Sequence, residues 1–173
     1  MAEGLPSEIV LYPDPCLRRK CAPIASFDHG LAALVERMLE LMRTGNGVGL
    51  AGPQVGLCRR LFVCNPTGEP GDDRVYVNPE LVDLVGGEEG EEGCLSLPDI
   101  RVVVRRARRC RIKACDVTGK PIEEEAEDLL ARIWQHENDH LDGTLIIDKM
   151  KPGDAIANKK QIAELEAKYA KRK

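Results

Sequence analysis

The chain has 173 residues, 43% of them hydrophobic and 31% charged, with a formal net charge of −4. That length suits a single domain, residues 1–173, able to bury its core without disulfide or metal support. An aromatic share of 3% argues against a base-stacking nucleic-acid surface, and no run of about twenty apolar residues offers a membrane span. With no basic-then-apolar leader at Met1, a cytoplasmic protein is expected, with neither DNA nor a membrane as partner.

The first stretch holds Tyr12-Pro13-Asp14-Pro15 and Cys21-Ala22-Pro23, and it is expected to run extended until Ser26 or Asp28 caps a helix. From residue 28 to about 44 the apolar positions Leu31, Leu34, Val35, Met38, Leu39 and Met42 form one stripe, ending at Gly45-Asn46-Gly47. His29, at its start, reads as a solvated side chain. Gly47 to Gly56 then carries four glycines and Pro53 among apolar residues, a density that lets backbone pass close to something. Its Gln54 amide can donate to an oxygen, so this segment is expected to line a substrate. No Gly-Lys-Ser/Thr ending follows, which excludes a phosphate loop.

Residues 57–64 and 74–85 read as short strands, the latter around Val75-Tyr76-Val77 and Leu81-Val82. The Gly- and Glu-rich residues 86–93 are expected to form a solvated loop. Seven cysteines form an odd set without a C-x-x-C pair, which fits reduced thiols. Cys58, Cys64, Cys110 and Cys115 lie in strand-like runs and read as small buried hydrophobes. Cys94 differs, standing between Gly93 and a proline-terminated run.

From Arg101 to Val117 the pattern alternates, with Cys110, Ile112 and Ala114 facing one way and Arg109, Arg111 and Lys113 the other, as in an antiparallel strand with one wet face. The turn at 116–120 leads to a partner strand around Ile122 to Ala126. A helix is expected from about Asp128 to Gly143, with acids at its positive end. Leu129, Ile133, His136, Glu137 and His140 share one face of it. Leu145-Ile146-Ile147 suggests a short edge strand. Residues 151–173 carry seven basic and three acidic side chains, a local +4 that leaves −8 on the remainder. Ile156, Ile162, Leu165 and Tyr169 recur near helical spacing there, so a C-terminal helix with a basic face is expected, able to meet a polyanion such as ribosomal RNA.

Within the later helix lies His136-Glu137-Asn138-Asp139-His140. Positions i and i+4 share a helix face, so the two histidines can grip one metal ion while Glu137 reaches a water in an open coordination position. A catalytic ion wants a third ligand. The candidates are a downstream acid, Glu164 or Glu166, or Cys94, whose thiolate binds Zn(II) or Fe(II) well at neutral pH.

Three ordered segments together resemble the peptide deformylase family: Gly47-Val48-Gly49-Leu50-Ala51 through Gln54, then Glu92-Gly93-Cys94-Leu95-Ser96, then Gln135 to Leu141. The resemblance runs to about residue 150, with Gly52 standing where the family usually has alanine. It implies an α+β fold, with antiparallel strands packed around the helix that carries the pentad and a C-terminal helix. It implies one divalent metal held by Cys94, His136 and His140, Fe(II) in the cell, with zinc, nickel or cobalt able to occupy the site. The implied reaction removes formate from the N-formylmethionine of newly made proteins. Glu137 moves the proton, while Gln54 and the backbone N–H of Leu95 meet the oxyanion. Val48, Leu129 and Ile133 are expected to receive the methionine side chain, and Gly49 and Arg101 to hold the peptide extended. Rival readings are a zinc metallopeptidase ligated by a downstream acid and an inactive ribosome-binding relative.

Overall fold

Asp28, not Ser26, caps the first helix in the computed structural model, which describes residues 4–171. Its Oδ1 accepts from the Leu31 backbone N–H at 3.1 Å, and Ser26 Oγ donates to the same carboxylate. Helix α1 spans His29–Thr44 and buries Leu31, Val35, Met38, Leu39, Leu41 and Met42 on one face. It ends as the glycine signal suggested, with Asn46 in the left-handed region at φ 55°.

Seven strands follow among the described residues: β1 (Gly49–Ala51), β2 (Leu61–Cys64), β3 (Arg74–Val85), β4 (Glu88–Cys94), β5 (Leu97–Arg106), β6 (Arg109–Cys115) and β7 (Pro121–Glu127). Five of them form an antiparallel sheet in the order β1-β2-β3-β6-β7, and β4 pairs with β5 in a second, two-stranded sheet. Helix α2 (Asp128–Leu141) lies against β1, β2, β3, β6 and β7, and α3 (Pro152–Ala170) closes the described chain against β5. The architecture is therefore α+β with antiparallel sheets and a C-terminal helix.

The β6–β7 hairpin matches expectation, and its wet face is laced by Arg111, which bonds Glu125 at 2.8 Å and Glu123 at 3.3 Å. Four expectations are corrected. Residues 86–93 are not a loop, although Glu88, Glu89 and Glu91 are exposed: Glu88 to Glu92 pair with Arg106 to Val102, because valine-rich β5 supplies a partner that overrides weak local β propensity. The alternating run from Arg101 is not one strand. Gln135 breaks it, its amide accepting from the Ala107 N–H and donating to the Ala107 carbonyl, both at 2.9 Å, so β5 and β6 enter different sheets. Residues 145–147 are not an edge strand, because Asp148 accepts from the Leu145 N–H at 2.8 Å and curls Ile146–Lys149 into a 3-10 turn. Cys58 lies outside β2, half-buried against Cys16, whereas Cys64 and Cys110 are buried in their strands as expected.

Trp134 of α2 meets Tyr76 edge-on at 5.3 Å, and Tyr76 packs on Phe62 at 5.1 Å. Such aromatic pairs contribute about 0.5–1.5 kcal/mol each beyond their buried area. They fix α2 to β2 and β3. On the other side, Leu165 of α3 is buried with Ile100, Val102 and Val104 of β5. Asn158 of α3 clamps the β5 backbone, donating to the Arg101 carbonyl at 2.8 Å. Ile156 departs from the expected stripe and is 78% exposed. Arg172 and Lys173 of the basic tail lie outside the described residues, as does the start of the chain on which the leader reading rests.

Candidate metal centre

One turn of α2 separates His136 from His140, whose rings stand 5.1 Å apart at 66°. The β4–β5 hairpin turns on Leu95 and Ser96, with Cys94 opposite Leu97, and this tight turn delivers the Cys94 sulfur to the helix. Cys94 Sγ is 3.3 Å from His140 Nε2, and the donor atoms of Cys94, His136 and His140 all lie within 4.8 Å of one another. One sulfur and two imidazole nitrogens form a donor set for a borderline divalent ion. Beside it, the buried Glu137 Oε2 has no protein hydrogen-bond partner among the described residues, as expected of a group that serves a ligand or water. The residues present fit a metal.

The imidazole of His136 is aimed from behind. Its Nδ1 donates to Glu92 Oε2 at 3.0 Å, which leaves Nε2 for an ion. Glu92 is itself held by Arg106, through two bonds of 2.9 and 2.8 Å, and by Arg132 at 2.8 Å. Burial alone would raise the Glu92 pKa, but Arg106 and His136 hold it far below the ordinary carboxylate range. Burial likewise opposes charge on His136, yet Cys94 and Glu92 outweigh it and push its pKa up to about 10. Burial and the neighbouring His136 drive His140 well below its ordinary value. One imidazole of the pair therefore resists a charge that the other accepts.

Replacing Glu92 with alanine is expected to weaken metal binding about 10- to 100-fold by freeing His136. The same change leaves Arg106, 4% exposed, with Asp139 in place of its bidentate partner, so stability should fall by at most roughly 3–5 kcal/mol. Metal titration together with a denaturant curve reads both effects. An unchanged metal affinity would remove Glu92 from its aiming role.

Glu137 is 3% exposed, and burial pushes its pKa up to about 7 against the pull of His136 and Arg106. Gly49 of β1 faces it so closely that a Cβ there would stand 2.3 Å from Glu137 Oε1. The glycine thus keeps room for the carboxylate. Gln54 stands in the 3-10 turn Gly52–Val55, its Oε1 accepting from the Ala51 N–H at 2.9 Å. That bond orients the amide, so Nε2 points to Ser96 Oγ at 3.2 Å and Cys94 Sγ at 3.5 Å.

A cleft of about 740 Å³ opens over these groups. Val48, Gly49, Leu95, Arg101, Leu129 and Ile133 all line it, together with Gln54, Cys94, His136 and Glu137, while His140 lies beneath with 1% exposure. Leu129 is corrected in one respect: it is 51% exposed at the cleft wall and does not belong to the buried stripe. The downstream acids are elsewhere, Glu164 near Lys160 at 3.9 Å and Glu166 accepting from the Tyr12 hydroxyl at 3.1 Å. Sequence reasoning missed Glu92 and Arg106. A signal for the second existed: Ile100, Val102, Val104 and Arg106 share the inward register of β5, and an arginine in an apolar register demands a buried acid.

The chain is similar to known proteins over most of its length. The family model described as polypeptide deformylase matches residues 6–155. The chain is similar to the peptide deformylase of Thermotoga neapolitana, 41% identical over 156 residues, covering 90% of this chain and 93% of the relative. It is also similar to peptide deformylase 1 of Clostridium perfringens, 47% identical over 135 residues, covering 78% and 91% of the two chains. Among solved structures, Arabidopsis thaliana peptide deformylase 1B in complex with an inhibitor superposes with a TM-score of 0.91 at 41% identity, over 96% of this chain and 93% of that one.

Proposed function

The chain belongs to the polypeptide deformylase family, and from that premise we propose that Cys94, His136 and His140 hold its divalent metal ion while Glu137, Gln54 and Leu95 carry the reaction. It is a metal-dependent hydrolase that removes the formyl group from the N-terminal formylmethionine of polypeptides and releases formate. The observation that supports the residue assignment is the convergence, within 4.8 Å, of three metal-ligating side chains from two elements beside a buried, unpartnered carboxylate.

A divalent ion held by Cys94, His136 and His140 would supply Lewis-acid chemistry, making water a better nucleophile near neutral pH and polarising the formyl carbonyl. Glu137 accepts the proton of the attacking water, and burial suits it to that exchange near neutral pH. The Gln54 amide and the Leu95 backbone N–H donate to the oxygen that gains charge, each such donor contributing about 3–4 kcal/mol. Glu137 then passes its proton to the departing amine. Val48, Leu129 and Ile133 take the methionine side chain, a burial that contributes about 1.5–3 kcal/mol. Gly49 and Arg101 hold the peptide extended along the cleft. Acetyl adds a methyl that must fit beside the ligand cage, which supplies only modest discrimination by itself.

Iron(II) is the ion proposed in the cell, with zinc, nickel or cobalt able to substitute; element analysis of protein purified without oxygen tests this. Formate release from a formylmethionyl peptide tests the assignment as a whole. Formate production without metal, or none with it, overturns the reading.

The chain is further proposed to act in the cytoplasm as one catalytic domain; no described helix is long and apolar enough to cross a membrane. Lys159, Lys160 and Lys168 are exposed on α3 and support docking to ribosomal RNA. Reversing all three to glutamate is expected to weaken ribosome association in low salt by about 10-fold or more, while formate release from short peptides stays unchanged. Association that ignores the reversal overturns the docking idea. Deleting residues 151–173 is a poorer test, because Leu165 and Asn158 support β5.

A further inference from the structure

Two cysteines outside the metal centre face each other across segments distant in sequence. Cys16 Sγ and Cys58 Sγ are 3.0 Å apart, inside the contact distance of unbonded sulfurs, and both thiols are free and half-buried. A disulfide needs about 2.0 Å between sulfurs, so closure asks for a movement of roughly 1 Å.

Both backbones are anchored. Cys16 stands in the 3-10 turn Pro15–Arg18, its N–H donating to Asp14 Oδ1 at 2.8 Å. Cys58 is bracketed by the Leu57 N–H donating to the Gly52 carbonyl at 2.9 Å and by its own carbonyl accepting from the Ala22 N–H at 3.2 Å. Gly52 permits this arrangement. A Cβ there would stand 2.6 Å from the Arg59 carbonyl oxygen and 2.8 Å from that of Leu57. The glycine therefore lets residues 57–59 settle on the turn that carries Gln54, which brings Cys58 to Cys16. Cys21 is buried, its thiol directed to the Arg19 carbonyl at 3.8 Å. Burial and the adjacent Cys58 push the Cys16 thiol up to about 12, so in a reducing compartment it rests as a thiol.

We infer that Cys16 and Cys58 are a modification site, forming a reversible disulfide with hydrogen peroxide and tying the turn at 15–18 to the segment that follows Gln54. The Cys58 sulfur, as thiolate, attacks a peroxide oxygen; the S–O bond forms, the O–O bond breaks, and the departing hydroxide takes a proton to become water. The second thiol gives up its proton and attacks that sulfenic sulfur. The S–S bond forms, the S–O bond breaks, and a second water leaves. Two thiols lose two electrons and one peroxide becomes two waters. A dithiol reverses the bond by thiol–disulfide exchange.

The test treats the full metal-loaded protein with a small excess of hydrogen peroxide, blocks remaining thiols, and maps peptides under non-reducing conditions by mass spectrometry. A peptide linking Cys16 to Cys58, lighter by two hydrogens and cleaved by dithiothreitol, is expected. Cys16→Ser and Cys58→Ser should each abolish it. The thermal midpoint of the oxidised wild-type chain should exceed that of the reduced one by several degrees, since the bond closes a long loop in the unfolded chain. Sulfinic acid at either cysteine without the link, a link from either to Cys21, or free Cys16 and Cys58 while Cys94 oxidises would overturn the inference. Mapping the wild-type chain decides this even if a variant folds poorly.

Discussion

Cys94→Ala is expected to strip the protein of tightly bound metal and to reduce formate release to background. Cys94 sits at the end of β4, half-buried against the cluster of Leu97 and Ile100, and alanine keeps its backbone pairing with Leu97 while removing only one sulfur, so the fold should survive. What disappears is the one sulfur 3.3 Å from His140 Nε2. Two imidazoles on one helical turn then remain, too few for a catalytic ion that wants three protein ligands. Electrostatic stabilisation by a bound metal contributes several kcal/mol to such a reaction, and about 1.4 kcal/mol is a tenfold change in rate, so the loss should be on the order of 10³-fold or greater. Metal content after gel filtration, a circular dichroism spectrum and a formate assay separate the effects. A variant that keeps its metal and its rate would show that the third ligand lies elsewhere, which a metallopeptidase using Glu164 would require.

Glu137→Gln should give the opposite pattern, full metal occupancy with turnover reduced about 10²- to 10⁴-fold. The amide has the shape of the carboxylate and fits the space that Gly49 leaves for it, where a Cβ would come within 2.3 Å of Glu137 Oε1. It cannot accept a proton from water. All three proposed ligands remain, so metal affinity should hold, and KM for a formylmethionyl peptide should change little because Val48, Leu129 and Ile133 are unaltered. Thermal stability should not fall, since a neutral amide replaces a buried carboxylate whose Oε2 has no hydrogen-bond partner among the described residues. Near-normal turnover would show that another group moves the proton. Lost metal would mean that Glu137 acts on the ion itself.

The two variants divide the labour within one small volume. In the proposed mechanism Cys94 and the histidines set where charge is stabilised, and Glu137 sets where the proton goes. Glu92 lies one layer further out, with Arg106 and Arg132 neutralising it so that it can aim His136. This arrangement explains why buried charge gathers here and not elsewhere in the core: each carboxylate is compensated by a cation or set against the metal ligands.

The sequence by itself determined the parts governed by local spacing. His136 and His140 share a helix face at any placement of that helix, and the stripe from Leu31 to Met42 buries itself wherever α1 packs, because a 3.6-residue period needs no distant partner. Cys94, Gln54 and Gly49 stood out for similar reasons, being unusual residue types in glycine-marked segments. Only the tertiary structure decided what depends on a partner far along the chain. Glu88 to Glu92 resemble a solvated run until β5 pairs with them, and Glu92 resembles its acidic neighbours until Arg106 comes inward to meet it. The break at Ala107 leaves the alternation of Arg101 to Val117 undisturbed, so only Gln135 reaching across from α2 reveals it. Strand pairing and desolvation of charge are set by what lies opposite in space, and a one-dimensional pattern does not record that.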